Sequence, residues 1–91
     1  MSGWQAYDPT WLVELARKEE PDKAWLAEAL AKCTRCKKES EAYIYFVDPE
    51  TPEWQHDDSI DMEHPTEGMV VIDVLKKRRI GGIELVDKIL S

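Results

Sequence analysis

Two stretches near the start of the chain place apolar residues at helical spacing. The first helix begins at Asp8-Pro9, because aspartate is a good N-cap and proline suits the first helical position. Pro21 ends it, since proline disfavours a helical conformation at the residue before it. The apolar positions of this helix recur at one-, three- and four-residue steps: Trp11, Leu12, Leu15 and Ala16.

A second helix is predicted from about Lys23 to Lys38, with Asp22 as its N-cap. Its basic C-terminal end complements the helix dipole. The two helices together predict a helical hairpin over residues 1–40. Its apolar stripe contains Leu26, Ala29, Leu30, Cys33 and Cys36, with Trp25 beside it.

The pattern changes after Ser40 to that of strands. Residues 42–47 carry aromatic and β-branched side chains on both faces, which predicts a central strand. A loop follows over residues 48–58. Residues 59–63 then alternate, with Ile60 and Met62 on one side and acids on the other, which predicts an edge strand before a turn at 64–68.

Residues from Gly68 onward predict a β-hairpin, in which two apolar strands flank the turn Lys76-Lys77-Arg78-Arg79. Gly81-Gly82 marks a bulge or a close backbone approach. The order is therefore α-α-β-β-β-β. We expect a single α+β domain over 1–91, in which two N-terminal helices pack on a four-stranded, mainly antiparallel sheet formed by 41–91.

Residues 42–87 resemble the YuzE-like family of small bacterial domains of unknown function. The resemblance rests on Tyr43-Ile44-Tyr45, on Gly68-x-Val70-x-Ile72-Asp73 and on Gly82-Ile83-Glu84-Leu85. It implies an antitoxin-like protein, the inhibitory half of a small toxin pair.

The net charge of −7 is concentrated in one segment. Residues 39–67 contain ten acids and neither lysine nor arginine, whereas the rest of the chain is nearly balanced. Such a protein repels nucleic acid and attracts basic surfaces, so we expect no direct nucleic-acid binding and a protein partner with a basic surface. Only the basic turn at 76–79 would favour nucleic-acid binding.

The acidic segment 48–67 is the predicted contact surface for that partner. Trp54 is its aromatic anchor, because tryptophan is enriched at interface hot spots. An alternative interpretation is that Trp54 folds back to hold a long loop. The acids that accompany Trp54 are Glu50, Glu53, Asp57, Asp58, Asp61 and Glu63.

Cys33 and Cys36 with His56 and His64 are weak candidates for a zinc site. The spacing C-x2-C-x19-H-x7-H does not fit a zinc finger, and free cysteine packs well as a small apolar residue. A redox role is disfavoured because reactive thiolates sit at helix N-termini, whereas these lie near a predicted C-terminus. We therefore expect no metal and no cofactor, with a zinc-stabilised structural domain kept as an alternative.

The sequence contains no arrangement typical of an enzyme. Ser40 and Ser59 lie in no nucleophile elbow, the acids at 57–63 lack EF-hand spacing, and Gly81-Gly82 opens no helix. A phage-type acidic mimic of nucleic acid, which blocks a defence nuclease, remains an alternative function. With neither a signal peptide nor a membrane span, we expect a cytoplasmic protein, and the edge strand 59–63 allows a homodimer.

Overall fold

The structure, a computed structural model, describes residues 3–90, with only the backbone of Leu90. These residues contain one antiparallel sheet of six strands and three helices. None of the described helices is long and apolar enough to cross a membrane. The elements in chain order are β1 (Trp4–Ala6), α1 (Thr10–Glu19), α2 (Ala24–Ala31), β2 (Arg35–Lys38), β3 (Tyr43–Tyr45), β4 (His56–His64), β5 (Gly68–Leu75), a 3₁₀ turn (Lys76–Arg78), β6 (Ile80–Leu85) and α3 (Val86–Leu90).

The strands lie in the order β1-β2-β3-β6-β5-β4, and every neighbouring pair is antiparallel. The predicted α+β class and antiparallel pairing are therefore confirmed. The predicted four-stranded sheet with two N-terminal helices is wrong, because the sheet gains β1 and β2 and the chain gains α3. Strand β4 lies at one edge, as predicted for residues 59–63.

The predicted second helix is too long. It ends at Ala31, where the Lys32 N–H donates to Ala29 O, and β2 begins at Arg35. Cys36 is fully buried between more exposed neighbours, which is the alternation of a strand. Pairing with β1 and β3 satisfies the backbone of this segment, and that pairing overrides the helical spacing that the sequence suggested. The supposed helical hairpin at 1–40 thus contains two strands.

Helix α1 ends as predicted but begins one residue later, at Thr10, because Pro9 rather than Asp8 occupies the N-cap position. The Asp8 carboxylate accepts hydrogen bonds from the backbone N–H of Thr10 at 3.0 Å and from its hydroxyl at 2.6 Å, so Asp8 stabilises the first turn. The helix ends at Glu19, ahead of Pro21. Helix α2 differs, because its N-cap is Lys23 rather than Asp22 and no side chain caps it.

Helices α1 and α2 pack on one face of the sheet, called here the covered face. Both the helices and the strands contribute to one hydrophobic core, although they come from the two halves of the chain. Burial of this apolar surface is the main force that stabilises the fold. The residues with no exposed surface include Leu12, Leu26 and Leu30 from the helices and Val70, Ile72 and Ile83 from the strands.

Gly81 and Gly82 confirm the prediction of a bulge and a close approach. The register between β5 and β6 shifts between Asp73 and Val74, opposite this pair. A Cβ atom at Gly82 would lie only 2.6 Å from the carbonyl oxygen of Ile44. Glycine at this position therefore lets β3 and β6 pack closely in the centre of the sheet.

Candidate functional site

The face of the sheet opposite α1 and α2, called here the open face, carries aromatic and acidic side chains in two cross-strand rows. Residues paired directly across strands share a face, so the register defines these rows. Most of their side chains are half-buried or exposed. One row contains Tyr43, Glu84, Val71 and Asp61, and the next contains Trp4, Lys37, Tyr45, Gly82, Asp73 and Ser59.

Three aromatic rings lie in contact on the open face. The rings of Tyr43 and Tyr45 stack with their centroids 6.3 Å apart, and the ring of Trp54 meets Tyr45 edge-on at 5.5 Å. All three side chains are half-buried. They form a partly exposed aromatic surface whose rings hold one another in place.

Two carboxylates lie beside these rings. Burial raises the pKa of Asp73, the charge of Glu84 raises it further, and His56 lowers it. A hydrogen bond with Glu84 is the main reason that the pKa of Tyr43 is raised. The open face therefore places negative charge next to aromatic surface, and burial and mutual repulsion disfavour the ionised form of Asp73.

His56, Ser59 and Asp73 lie close together but do not form a catalytic triad. His56 Nε2 lies 3.0 Å from Ser59 Oγ and 3.9 Å from Asp73 Oδ1. A triad needs the serine and the aspartate on opposite ring nitrogens, so that the histidine can take the serine proton while the aspartate orients it. Because one nitrogen faces both groups here, this arrangement does not activate Ser59 as a nucleophile.

The predicted partner-binding acids divide into two groups. Glu53 forms an ion pair with Arg79 at 2.8 Å, and Asp57 lies 3.8 Å from Lys76, so the basic turn partly neutralises both. The remaining acids are exposed and have no ion pair among the described residues: Glu50 in the loop, and Asp58, Asp61 and Glu63 on β4. The unpaired charge of segment 48–67 thus lies mainly on β4.

Trp54 packs against its own protein. A Cβ atom at Gly81 would lie 2.7 Å from the Trp54 ring, and Leu75 on the same side is only 1% exposed although it lies outside the main core. These contacts fit the alternative interpretation, in which Trp54 holds the loop at 48–55 onto the sheet. A role for its remaining exposed edge in binding a partner stays a prediction.

The weak metal candidates do not come together among the described residues, in which no group of three or more potential ligands could hold an ion. His56 and His64 lie at the two ends of β4, about 27 Å apart at strand spacing. Burial raises the pKa of the Cys33 thiol to about 12, so it stays protonated at neutral pH and is a poor ligand and nucleophile. Both cysteines are buried free thiols that pack in the core.

The edge of β4 is partly covered by α1. The backbone N–H of Glu63 donates to the Glu19 carboxylate at 2.9 Å, so this donor is not free to pair with another strand. The exposed acids of β4 also oppose edge-to-edge pairing. The homodimer through residues 59–63 stays a prediction, and it would have to break the contact with Glu19.

Sequence reasoning missed the open face as a surface. Tyr43, Tyr45, Asp73 and Glu84 come from three strands, and only the sheet order brings them together. The available signal was the alternation Tyr43-Ile44-Tyr45, in which the buried isoleucine lies between two more exposed rings.

Comparison with models of known protein families, with curated proteins and with solved structures finds no match to this chain. The resemblance to the YuzE-like family therefore stays a prediction, and so does the antitoxin-like role that it implies.

Proposed function

We propose that this protein is a non-enzymatic protein-binding module, an antitoxin-like protein or inhibitor, which contacts a partner with a basic surface. The observation that carries the proposal is the open face, where three partly exposed rings lie beside the carboxylates of Asp73 and Glu84. Asp61 and Glu63, which are exposed on β4, extend this surface to the edge of the sheet.

Such a surface suits arginine and lysine side chains. A guanidinium group stacks on an aromatic ring and forms hydrogen bonds with a carboxylate at the same time. Lys37 is the one basic residue in the two cross-strand rows of the open face. The negative field would speed encounter with a basic partner, and this contribution should fade as salt concentration rises.

The contact surface differs in part from the one that the sequence suggested. Glu53 and Asp57 are engaged by Arg79 and Lys76, and Trp54 is largely occupied with Gly81. Within segment 48–67, we therefore propose that Asp61 and Glu63, the exposed acids of β4 on the open face, have the main role. We propose the cytoplasm as the compartment, in keeping with the free thiols of both cysteines.

The test is a charge reversal with a matched control. In one variant Asp61 and Glu63 become lysine, and in the control Glu14 and Glu28 become lysine, all four residues being exposed. A partner is first captured from lysate at low salt, then purified and titrated against each protein. We expect the β4 variant to bind about tenfold more weakly or worse, while the control keeps its affinity at moderate salt.

Equal loss in both variants would show a general effect of net charge and would contradict the proposed surface. Unchanged affinity in the β4 variant would contradict it as well. Circular dichroism and denaturant unfolding of both variants separate loss of binding from loss of fold.

One observation favours a second candidate, the acidic mimic of nucleic acid. Asp61 and Glu63 project from the same side of β4 about 7 Å apart, so they form the start of a row of negative charges. Competition separates the two candidates. Duplex DNA should displace a mimic from its nuclease, whereas a toxin held on the open face should stay bound.

A further inference from the structure

A groove separate from the open face lies between the end of α2 and the 3₁₀ turn. Its volume is about 500 Å³, which is the size of a small-molecule site rather than of a protein interface. Phe46, Val47 and Ile80 line its apolar part. Five basic side chains also line it, and no acid does among the described residues: Lys32, Arg35, Lys77, Arg78 and Arg79.

These five cations are not equivalent. Arg79 is paired with Glu53, and the Arg78 guanidinium lies 4.7 Å from the centre of the Trp25 ring. Lys32, Arg35 and Lys77 have no ion pair within the described part of the chain. In a protein with a net charge of −7, three unpaired cations around one apolar groove are an unusual concentration of positive charge.

The backbone that positions two of these cations is strained. Lys77 and Arg78 have φ angles of 65° and 58°, a left-handed conformation that asparagine and glycine adopt far more readily. Lysine and arginine adopt this conformation only at a cost in free energy. Strained residues with large side chains cluster at sites that bind ligands, where the surrounding structure holds them in place.

We propose that this groove binds a small phosphate-bearing ligand with an apolar or aromatic body, of the nucleoside phosphate class. The phosphates lie among Lys32, Arg35 and Lys77, which supply charge-assisted hydrogen bonds. The apolar body packs against Phe46 and Ile80. The size of the groove favours such a ligand over a folded acidic protein, and the site does not depend on the open face.

The test uses the full chain labelled with ¹⁵N and three probes at equal ionic strength: adenosine triphosphate, tripolyphosphate and adenosine. We expect adenosine triphosphate to shift the amide resonances of residues 29–35, 46–47 and 77–80. Arg35→Glu should weaken its binding about tenfold or more, because a charge-assisted contact is replaced by repulsion. Lys18→Glu, which makes the same change at an exposed position on α1, should not.

A second variant separates binding from folding. Lys77→Asn with Arg78→Gly places residues that readily adopt positive φ angles at the two strained positions, so we expect the protein to become more stable while it loses affinity for adenosine triphosphate. Full affinity in this variant would contradict the role of the strained turn.

The absence of resonance shifts at millimolar adenosine triphosphate would overturn the site itself. Equal loss of affinity in Lys18→Glu would do the same, since binding would then depend only on net charge. If tripolyphosphate bound as tightly as adenosine triphosphate, the role of the apolar part of the groove would be wrong.

Discussion

A single strand, β5, shows how differently the two faces of the sheet are used. Val70, Ile72 and Val74 point toward α1 and α2 and are at most 3% exposed. The alternating Val71 and Asp73 are half-buried on the open face, beside Glu84. The covered face therefore stabilises the fold, whereas the open face keeps rings and carboxylates accessible at little gain in stability. This division is why we propose the open face as the binding surface.

The largest effect on stability is expected from truncating a side chain on the covered face of β5, compared with truncating its neighbour on the open face. Ile72→Ala removes a fully buried side chain and should lower the free energy of unfolding by about 2–5 kcal/mol. Val71→Ala on the open face should lower it by less than about 1 kcal/mol. Urea unfolding of both variants measures the difference, and equal losses would contradict the division between the faces.

A smaller effect is expected where Trp54 packs closely on Gly81 and Leu75. Gly81→Ala would bring a Cβ atom to 2.7 Å from the Trp54 ring and 2.8 Å from Leu75, so we expect a loss of about 1–3 kcal/mol. In a Trp54→Ala background the loss should be smaller, because the ring is gone. A double-mutant cycle by urea unfolding measures this coupling. Additive effects would mean that Trp54 does not pack on Gly81 in solution.

The smallest effect concerns the carboxylate of Asp73. Burial raises the pKa of Asp73 above its ordinary value of 3.8, so the folded state holds its proton more tightly than the unfolded state does. The free energy of unfolding therefore falls as pH rises from about 3.8 to that raised pKa. At any pH above the raised pKa, the whole of this loss in stability is present. Asp73→Asn should stabilise the protein at neutral pH, and this gain should vanish below about pH 3.8.

Thermal unfolding of the wild type and the Asp73→Asn variant across this pH range measures the effect. Val71→Ala, on the same strand and the same face as Asp73, changes no charge; it is the control and should leave the pH dependence unchanged. A constant difference between wild type and Asp73→Asn at every pH would show that Asp73 is not buried as described.

Much of the fold could be predicted from local patterns. Apolar residues repeat at the spacing of strands in β4, β5 and β6 and at the spacing of a helix in α1. Helix α1 is also preceded by the helix-start residues Asp8 and Pro9. Strands β1 and β2 could not be predicted, because they are three and four residues long and Cys36 lies at helical spacing from Cys33. Their pairing with each other and with β3 is a tertiary effect that no short window contains.

The candidate sites also depend on contacts between distant segments of the chain, which local sequence patterns do not reveal. The acidic segment was visible in the sequence, but its pairing with the basic turn joins Glu53 to Arg79, 26 residues apart. The basic groove was invisible because its cations come from two distant segments of the chain, at Lys32 and Arg35 and at 77–79. The sequence suggested that the basic residues near the end of the second helix complement its dipole. In the structure, Lys32 and Arg35 instead line the basic groove.

The sheet order has a consequence for synthesis on the ribosome. Strand β6 lies between β3 and β5, yet it follows β3 by about 35 residues. At usual rates of translation, β3 waits about two to seven seconds for the strand that pairs with it. Until β6 has been made, the edge of β3 that pairs with it has no partner strand, because β4 and β5 do not pair with β3 in the finished sheet. The nascent chain therefore passes through a period in which shielding by a chaperone would favour correct folding.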